Sequence, residues 1–327
     1  METNKILQKT ITSSLTWQDP MLATLTYDYF SDSNWIYECK MDGERCLVYC
    51  NGKGAITLYS RNQQILNRIY PELVDALMSS NKKSFIIDGE VVAFGRDGVT
   101  SFSKLQNRIG LQKPTIEDIT KTPVYYYVFD MLYLNGNDIK ELPLIKRKSI
   151  LKSNITFNKQ IIYTKHYKKY GLKFYEIACK KKWEGLIAKN AFSFYQNRRS
   201  KDWLKFKCGN EQEFIIVGYT EPQGSRMQLG ALLLGFYDKN TLKYAGKVGT
   251  GFDRTMLQRL KNLLTPLEIE LPIIVKQVIK EKNIHWVEPK IVCEIGFSEW
   301  TQNNKLRHPR FLGLRYDKES GDVIKEE

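Results

Sequence analysis

An α+β fold in two parts is predicted by three observations on this 327-residue sequence. Short β-branched and aromatic runs alternate with Asp-Gly and Asn-Gly breaks, which is hairpin punctuation and implies mainly antiparallel sheets. Between them lie segments with apolar residues at helical spacing, so helices flank the sheets. After Cys208-Gly209-Asn210 the texture changes to strands around one helical segment, which gives two domains, 1–208 and 209–327.

In the first part the predicted strands are 35–39, 46–50, 55–59, 85–87, 91–94 and 125–130, broken at Asp42-Gly43, Asn51-Gly52, Asp88-Gly89 and Asp97-Gly98. Predicted helices cover 71–79, 103–109, 144–152 and 172–182. The second part reads as strands 214–219, 232–237, 242–248, 291–297 and 311–316 with a helix at 254–264. Five strands and a helix suit a small barrel of the oligonucleotide-binding type, and the count fits other β folds equally.

A hydrophobic share of 42% with 12% aromatics supports real cores and excludes disorder as the dominant state. The formal charge of +14 fits a protein that holds a long polyanion, with nucleic acid first and a solubilising surface as an equal alternative. The cysteines, Cys39, Cys46, Cys50, Cys179, Cys208 and Cys293, form no zinc spacing and are expected to be reduced and mostly buried. No basic start with an apolar run follows Met1, and no stretch has transmembrane length, so a soluble protein of a reducing compartment is expected. With three histidines (His166, His285, His308), lysine, arginine and carboxylates must carry the chemistry.

Five blocks supply such residues. Lys40-Met-Asp-Gly-Glu-Arg45 ends an apolar strand, where a lysine can act as a covalent nucleophile if nearby cations or burial lower its pKa. Arg45, Arg61, Lys189, Lys205 and Lys207 could provide that field and also hold a triphosphate. Taken alone, Lys40 is a surface lysine beside a turn. Asp88-Gly89-Glu90 offers carboxylates for ribose hydroxyls or a hard metal, and otherwise is merely a turn. The aromatic strand 125–130 could stack a ring on a purine, although such strands are more often core. Glu184 and Lys189 mark the two ends of a short strand. In Trp203-Leu-Lys-Phe-Lys207, alternation puts Lys205 and Lys207 on one face, where they suit an anion or simply protect a strand edge.

In this order the five blocks resemble the motifs of the covalent nucleotidyltransferases: ATP-dependent DNA ligases, RNA ligases and capping enzymes. The resemblance spans nearly the whole chain and points to the ligase domain of bacterial end-joining DNA ligases. Pro20-Met21-Leu22-Ala23, Glu221 to Arg226, Tyr244 to Phe252 and Leu306 to Arg315 look like flanking and barrel signatures of that subgroup. His308 stands where an aromatic is frequent in ligases, a feature the subgroup shares. The resemblance implies an adenylation domain followed by an OB-fold domain, without the helical DNA-binding, polymerase or nuclease domains of larger relatives.

It also implies roles. Lys40 would attack the α-phosphorus of ATP to form a lysyl-adenylate, which passes to a 5′-phosphate before the 3′-hydroxyl seals the strand. Glu38 would contact adenine, Phe129 would stack on it, and Arg45 and Arg61 would hold sugar and phosphates. Glu90 and Glu184 would bind Mg2+, or Mn2+ in its place, with Glu90 facing the ribose as an alternative. Lys205 and Lys207 would grip the α-phosphate with help from Arg199, and the segment from Arg307 through Lys318 would orient the pyrophosphate. The implied partners are nicked or broken duplex DNA and a Ku-type end-binding protein. The implied enzyme is a cytoplasmic, nucleoid-associated monomer with no membrane association. The Lys- and Tyr-rich stretch 165–182 is a candidate for DNA backbone contact, or equally a solvated amphipathic helix. The alternatives are an RNA ligase or capping enzyme, or a catalytically decayed nucleic-acid-binding module.

Overall fold

The computed structural model describes residues 15–79, 83–222, 228–274, 277 and 279–326. Residues 223–226 of the Glu221–Arg226 signature therefore lie outside the described residues. Contacts along the chain separate two units, Met1–Cys208 and Gly209–Glu327.

The first unit runs β1 (Leu22–Leu25), β2 (Trp35–Lys40), β3 (Glu44–Asn51), β4 (Ile56–Ser60), α1 (Pro71–Met78), β5 (Ser84–Val92), α2 (Phe102–Ile109) and α3 (Ile116–Lys121). It continues with β6 (Tyr125–Leu134), β7 (Asn137–Asp138), α4 (Leu144–Asn154), β8 (Ile161–Tyr163), β9 (His166–Lys168), α5 (Gly171–Lys180), β10 (Gly185–Asn190) and β11 (Arg199–Lys207). One sheet has the order β1-β11-β10-β2-β9; the other has β4-β3-β5-β6-β7, with β8 added on β6. Pairing is antiparallel except for β1 with β11 and β6 with β8.

Two breaks read from the sequence as hairpin turns are something else. Asp42-Gly43 carries the chain from β2 in one sheet to β3 in the other. Strand β5 runs unbroken through Asp88-Gly89, with register shifts against β6. Gly89 is required by packing: a Cβ there would lie 2.5 Å from the ring of Tyr126, whose hydroxyl donates to the Cys46 carbonyl (2.9 Å). Helix α3, absent from the sequence reading, starts at a capping box between Thr115 and Asp118.

The layers follow from which face each side chain takes. Val48, Leu58, Phe85 and Ile87 of the six-stranded sheet pack on one side with Leu73 and Leu77 of α1, Leu105 of α2 and Leu151 of α4. Leu47, Tyr49, Ile86, Phe129 and Tyr133 from its other side meet Met21, Tyr195 and Trp203, so the two sheets face each other. Behind the five-stranded sheet, Tyr37, Leu186, Ala188 and Phe206 bury Phe174 and Ala178 of α5.

The expectation of six reduced cysteines is corrected at one pair. Cys179 at the end of α5 and Cys208 just after β11 form a disulfide, with Cα atoms 5.1 Å apart; Cys39, Cys46, Cys50 and Cys293 are free thiols. The pair lies 29 residues apart in sequence, and the packing of α5 on β11 brings it together.

The second unit contains β12 (Asn210–Thr220), β13 (Leu232–Asp238), β14 (Thr241–Val248), α6 (Arg254–Leu264), β15 (Glu268–Ile269), β16 (Ile284–Val287), β17 (Val292–Phe297), β18 (Glu299–Trp300), β19 (Leu306–Arg307) and β20 (Arg310–Leu314). Long strand β12 pairs with β13, β16 and β17, and β17 also pairs with β20, which curls the antiparallel sheet in the manner of an OB fold. Helix α6 begins at the Asp253 cap and buries Leu257, Leu260 and Leu264. The short strands β15, β16, β18 and β19 were not foreseen. Among the described residues, no helix is long and apolar enough to cross a membrane.

Candidate active site

Register assembles the site. Across β2, β10 and β11, Lys40 aligns with Gly185 and Lys207, and Glu38 aligns with Ile187 and Lys205. Directly paired residues share a face, as do residues two apart on one strand. Glu38, Lys40, Ile187, Lys189, Trp203, Lys205 and Lys207 therefore share the face turned toward the six-stranded sheet. From that sheet, Arg45 pairs in register with Glu90, and its guanidinium stands 4.7 Å from the Phe129 ring centre.

The Lys40 ammonium is hydrogen-bonded to the Glu184 carboxylate, and both side chains are mostly buried, 18% and 8% exposed. Gly185, directly opposite Lys40, adopts φ +147°, and a Cβ there would meet the Phe206 carbonyl oxygen at 1.9 Å. Only glycine fits, because its backbone conformation and the Phe206 carbonyl together exclude any side chain. The rest of the hexamer fixes the chain. The Asp42 carboxylate accepts the Phe102 amide at the start of α2 (2.8 Å), and Gly43 lets the backbone pass the Val91 carbonyl, which a Cβ would meet at 2.3 Å.

Glu38 is buried between two ammonium groups, Lys148 Nζ at 2.5 Å and Lys189 Nζ at 2.6 Å. Burial pushes its carboxyl up, but the two lysines outweigh that and hold it below the usual range. Lys189 is pushed down to about 8 by burial, which Glu38 only partly offsets. It was expected among the cations around the nucleophile; the structure instead bonds it to Glu38, with its ammonium 4.1 Å from the Phe129 ring centre and 4.0 Å from that of Trp203. Phe129, expected to stack on a base, is 9% exposed and carries these cations on its ring.

Arg45 is gripped by Asp88 through two hydrogen bonds of 2.6 Å and donates to the Met21 carbonyl (3.1 Å), while Tyr195 donates to the same Asp88 (2.7 Å). Glu90 is half-buried beside Arg45, and Arg61 is half-buried in the turn after β4. Arg199, exposed at the start of β11, donates to the Ala23 carbonyl (2.6 Å). The Lys207 carbonyl is held by the hydroxyls of Tyr29 (3.2 Å) and Tyr175 (2.9 Å).

In the second unit, Arg307 pairs with Glu299 (2.6 Å) and Lys318 with Glu213 (2.7 Å). Arg315 bonds Asp317 (2.8 Å) and Glu294 (2.5 Å). Burial opposes the charge of Asp317, but Arg315 prevails and lowers its pKa.

Several residues that shape the site had not been singled out. Lys148 of α4 bonds Glu38 and the carbonyls of Phe129 (3.1 Å) and Thr164 (3.2 Å). Its neighbour Arg147 makes a fully buried two-pronged pair with Asp130 (2.9 and 2.8 Å). The available signal was two basic residues amid the apolar positions of a predicted helix, where at least one must turn inward.

The arrangement sets a lysine bonded to a carboxylate in line with further lysines on one sheet face. Comparison with known proteins identifies the family. The ATP dependent DNA ligase domain matches residues 20–207, and the ATP dependent DNA ligase C terminal region matches residues 225–318. The multifunctional non-homologous end joining protein LigD of Pseudomonas aeruginosa is 33% identical over 317 residues, 95% of this chain and 37% of that one. The corresponding DNA repair protein LigD of Mycobacterium tuberculosis strain H37Rv is 35% identical over 314 residues, 94% of this chain and 40% of that one. The chain thus spans about two fifths of the length of these relatives. A solved structure of mycobacterial DNA ligase D complexed with ATP and MES superposes with a TM-score of 0.68 at 33% identity, covering 94% of this chain and 98% of that one. Motifs, fold and relatives converge: the chain belongs to the ATP-dependent DNA ligase family.

Proposed function

We propose that this ligase joins 5′-phosphate and 3′-hydroxyl ends of duplex DNA at the expense of ATP, and that it serves double-strand end joining. The observation that carries the reading is the row Lys40, Gly185, Lys207, with Glu184 bonded to the Lys40 ammonium. It supplies a nucleophile and a phosphate-binding cation in one line across three strands. In the first step the neutral Lys40 amine forms a bond to the ATP α-phosphorus, the bond to pyrophosphate breaks, and the nitrogen loses a proton. A 5′-phosphate oxygen of DNA then takes the AMP from Lys40, and the 3′-hydroxyl displaces AMP to form the phosphodiester. Positioning and charge stabilisation supply most of the rate in such transfers.

Glu38 orients adenine, with Phe129 as the aromatic wall of the base pocket. Arg45, preset by Asp88, and Arg61 take the ribose and phosphates. Lys205 and Lys207, with Arg199, hold the α-phosphate; Arg307 and Lys318 orient the departing pyrophosphate. The carboxylate oxygens of Glu184 and Glu90, set beside cations, are the hard donors that suit Mg2+ or Mn2+. Such an ion, when bound, offsets phosphate charge. The basic chain and the lysines around exposed Tyr167 and Tyr170 favour DNA backbone contact, and the resemblance of the motifs to those of end-joining ligases favours a Ku-type partner.

The test is sealing of nicked, cohesive and blunt duplexes, with and without 3′-ribonucleotides and a Ku-type protein, alongside labelling by radioactive ATP or GTP. The expected result is a covalent label from ATP and sealed product. Labelling by GTP alone, or binding of nicked DNA without sealing, would reject the reading.

A further inference from the structure

Helix α4 and strands β8 and β9 border a groove of about 1010 Å3 that neither Glu38 nor Phe129 lines. Four of its lining side chains are lysines and none is a carboxylate. Lys148 turns inward to Glu38, whereas Lys152, Lys159 and Lys165 are exposed and make no ion pair among the described residues. Like charges left without acids on the rim of a recess focus a positive potential there, which suits a polyanion. Between the lysines stand two rings. Phe157 meets Tyr163 edge-on, with ring centres 5.6 Å apart, and Tyr163 belongs to β8, which the six-stranded sheet holds through β6. The turn that presents Lys159 is fixed as well, because the Asn158 side-chain oxygen accepts the amides of Gln160 (2.9 Å) and Ile161 (2.8 Å).

Duplex DNA presents phosphates outside and keeps the faces of its bases stacked within, so rings set in a recess offer it little. A single strand exposes both: its bases stack on aromatic rings while lysines follow its phosphates. The groove also lies beside the reacting centre, since β9 pairs directly with β2, the strand that ends in Lys40. We propose that this groove holds the single-stranded overhang of a broken DNA end and favours the joining of cohesive ends. The proposal rests on the DNA-joining reading above and adds the kind of end that is preferred.

The test is fluorescence anisotropy of a short labelled oligodeoxythymidine, and of a blunt duplex of equal length, on the intact chain without ATP. The variants are the double substitution Lys152→Gln with Lys159→Gln, and Tyr163→Phe and Tyr163→Leu. Losing two lysines should weaken binding of the single strand about tenfold or more and lower the slope of log affinity against log salt by about 1.4. Tyr163→Leu removes the stacking ring and should weaken the single strand about fivefold or more; Tyr163→Phe keeps the ring and should bind like wild type. Duplex affinity, self-adenylation and nick sealing should stay unchanged in all of them, while joining of cohesive ends falls. Unchanged single-strand affinity, or equal losses for single strand and duplex, overturns the proposal. Tighter binding of oligouridine than of oligodeoxythymidine makes the occupant RNA and overturns it too. Should Tyr163→Leu fail to fold, the exposed lysine pair still decides. A wild type that binds the oligonucleotide but neither takes label from ATP nor seals a nick rejects the ligase reading instead, a distinct failure.

Discussion

Lys40 and Glu184 are bonded where β2 meets β10, the ammonium of one on the carboxylate of the other. Lys40→Ala should abolish the covalent label from ATP and lower nick sealing by on the order of 10^3-fold or more. Glu184→Gln keeps the shape but loses the charge, and should slow adenylation by roughly 10^2-fold. Gel assay of labelled protein measures both.

Gly185 separates Lys40 from Lys207 in a conformation open only to glycine. Gly185→Ala should displace β10 from β11 and cost about 1–3 kcal/mol by strain at a special backbone position. Adenylation should fall with it. Denaturant unfolding combined with a labelling time course checks this outcome.

Glu38 is one carboxylate shared by two buried ammonium groups. Glu38→Gln would leave Lys148 and Lys189 facing each other without a counter-charge, at a cost of about 3–5 kcal/mol. Lys148→Met leaves one carboxylate with one ammonium and should cost less. Unfolding curves of the two variants would show the ordering.

His166 gives a pH dependence of definite sign. Its folded pKa of about 4 lies below the ordinary 6.5, so between these values the unfolded chain binds more protons. Its contribution to stability is therefore fully present above about pH 6.5 and is lost as the pH falls toward 4. Unfolding free energies of wild type and His166→Gln across this window should diverge in slope, the variant being flatter.

The disulfide should be visible in stability. For a pair 29 residues apart the chain-entropy relation gives roughly 3–4 kcal/mol. Cys208→Ser should lower the melting temperature in the absence of reductant and match the wild type once reductant is added.

Much of the site was legible because β-strands alternate. Lys205 and Lys207 fall on one face by spacing alone, and the registry of three strands sets them beside Lys40 and Glu38. Asp88-Gly89 misled because Asp-Gly is a local turn signal, whereas this glycine answers a tyrosine ring on the next strand. Lys148 was overlooked for a related reason. Its partner Glu38 lies 110 positions away, and helical spacing shows only that an inward-facing lysine needs an acid, without naming it. The Asp130–Arg147 pair and the disulfide likewise depend on contacts that no local pattern encodes.

The Cys179–Cys208 bond also changes the connectivity of the molecule. It turns residues 179–208 into a covalent ring that contains Glu184 and the whole β10–β11 hairpin. Phe192 and Phe194, 60% and 55% exposed between the two strands, offer a protease a cleavable point inside that ring. A polypeptide cut there yields two pieces that remain one molecule until the sulfurs are reduced, with both halves of the β10–β11 hairpin still tethered.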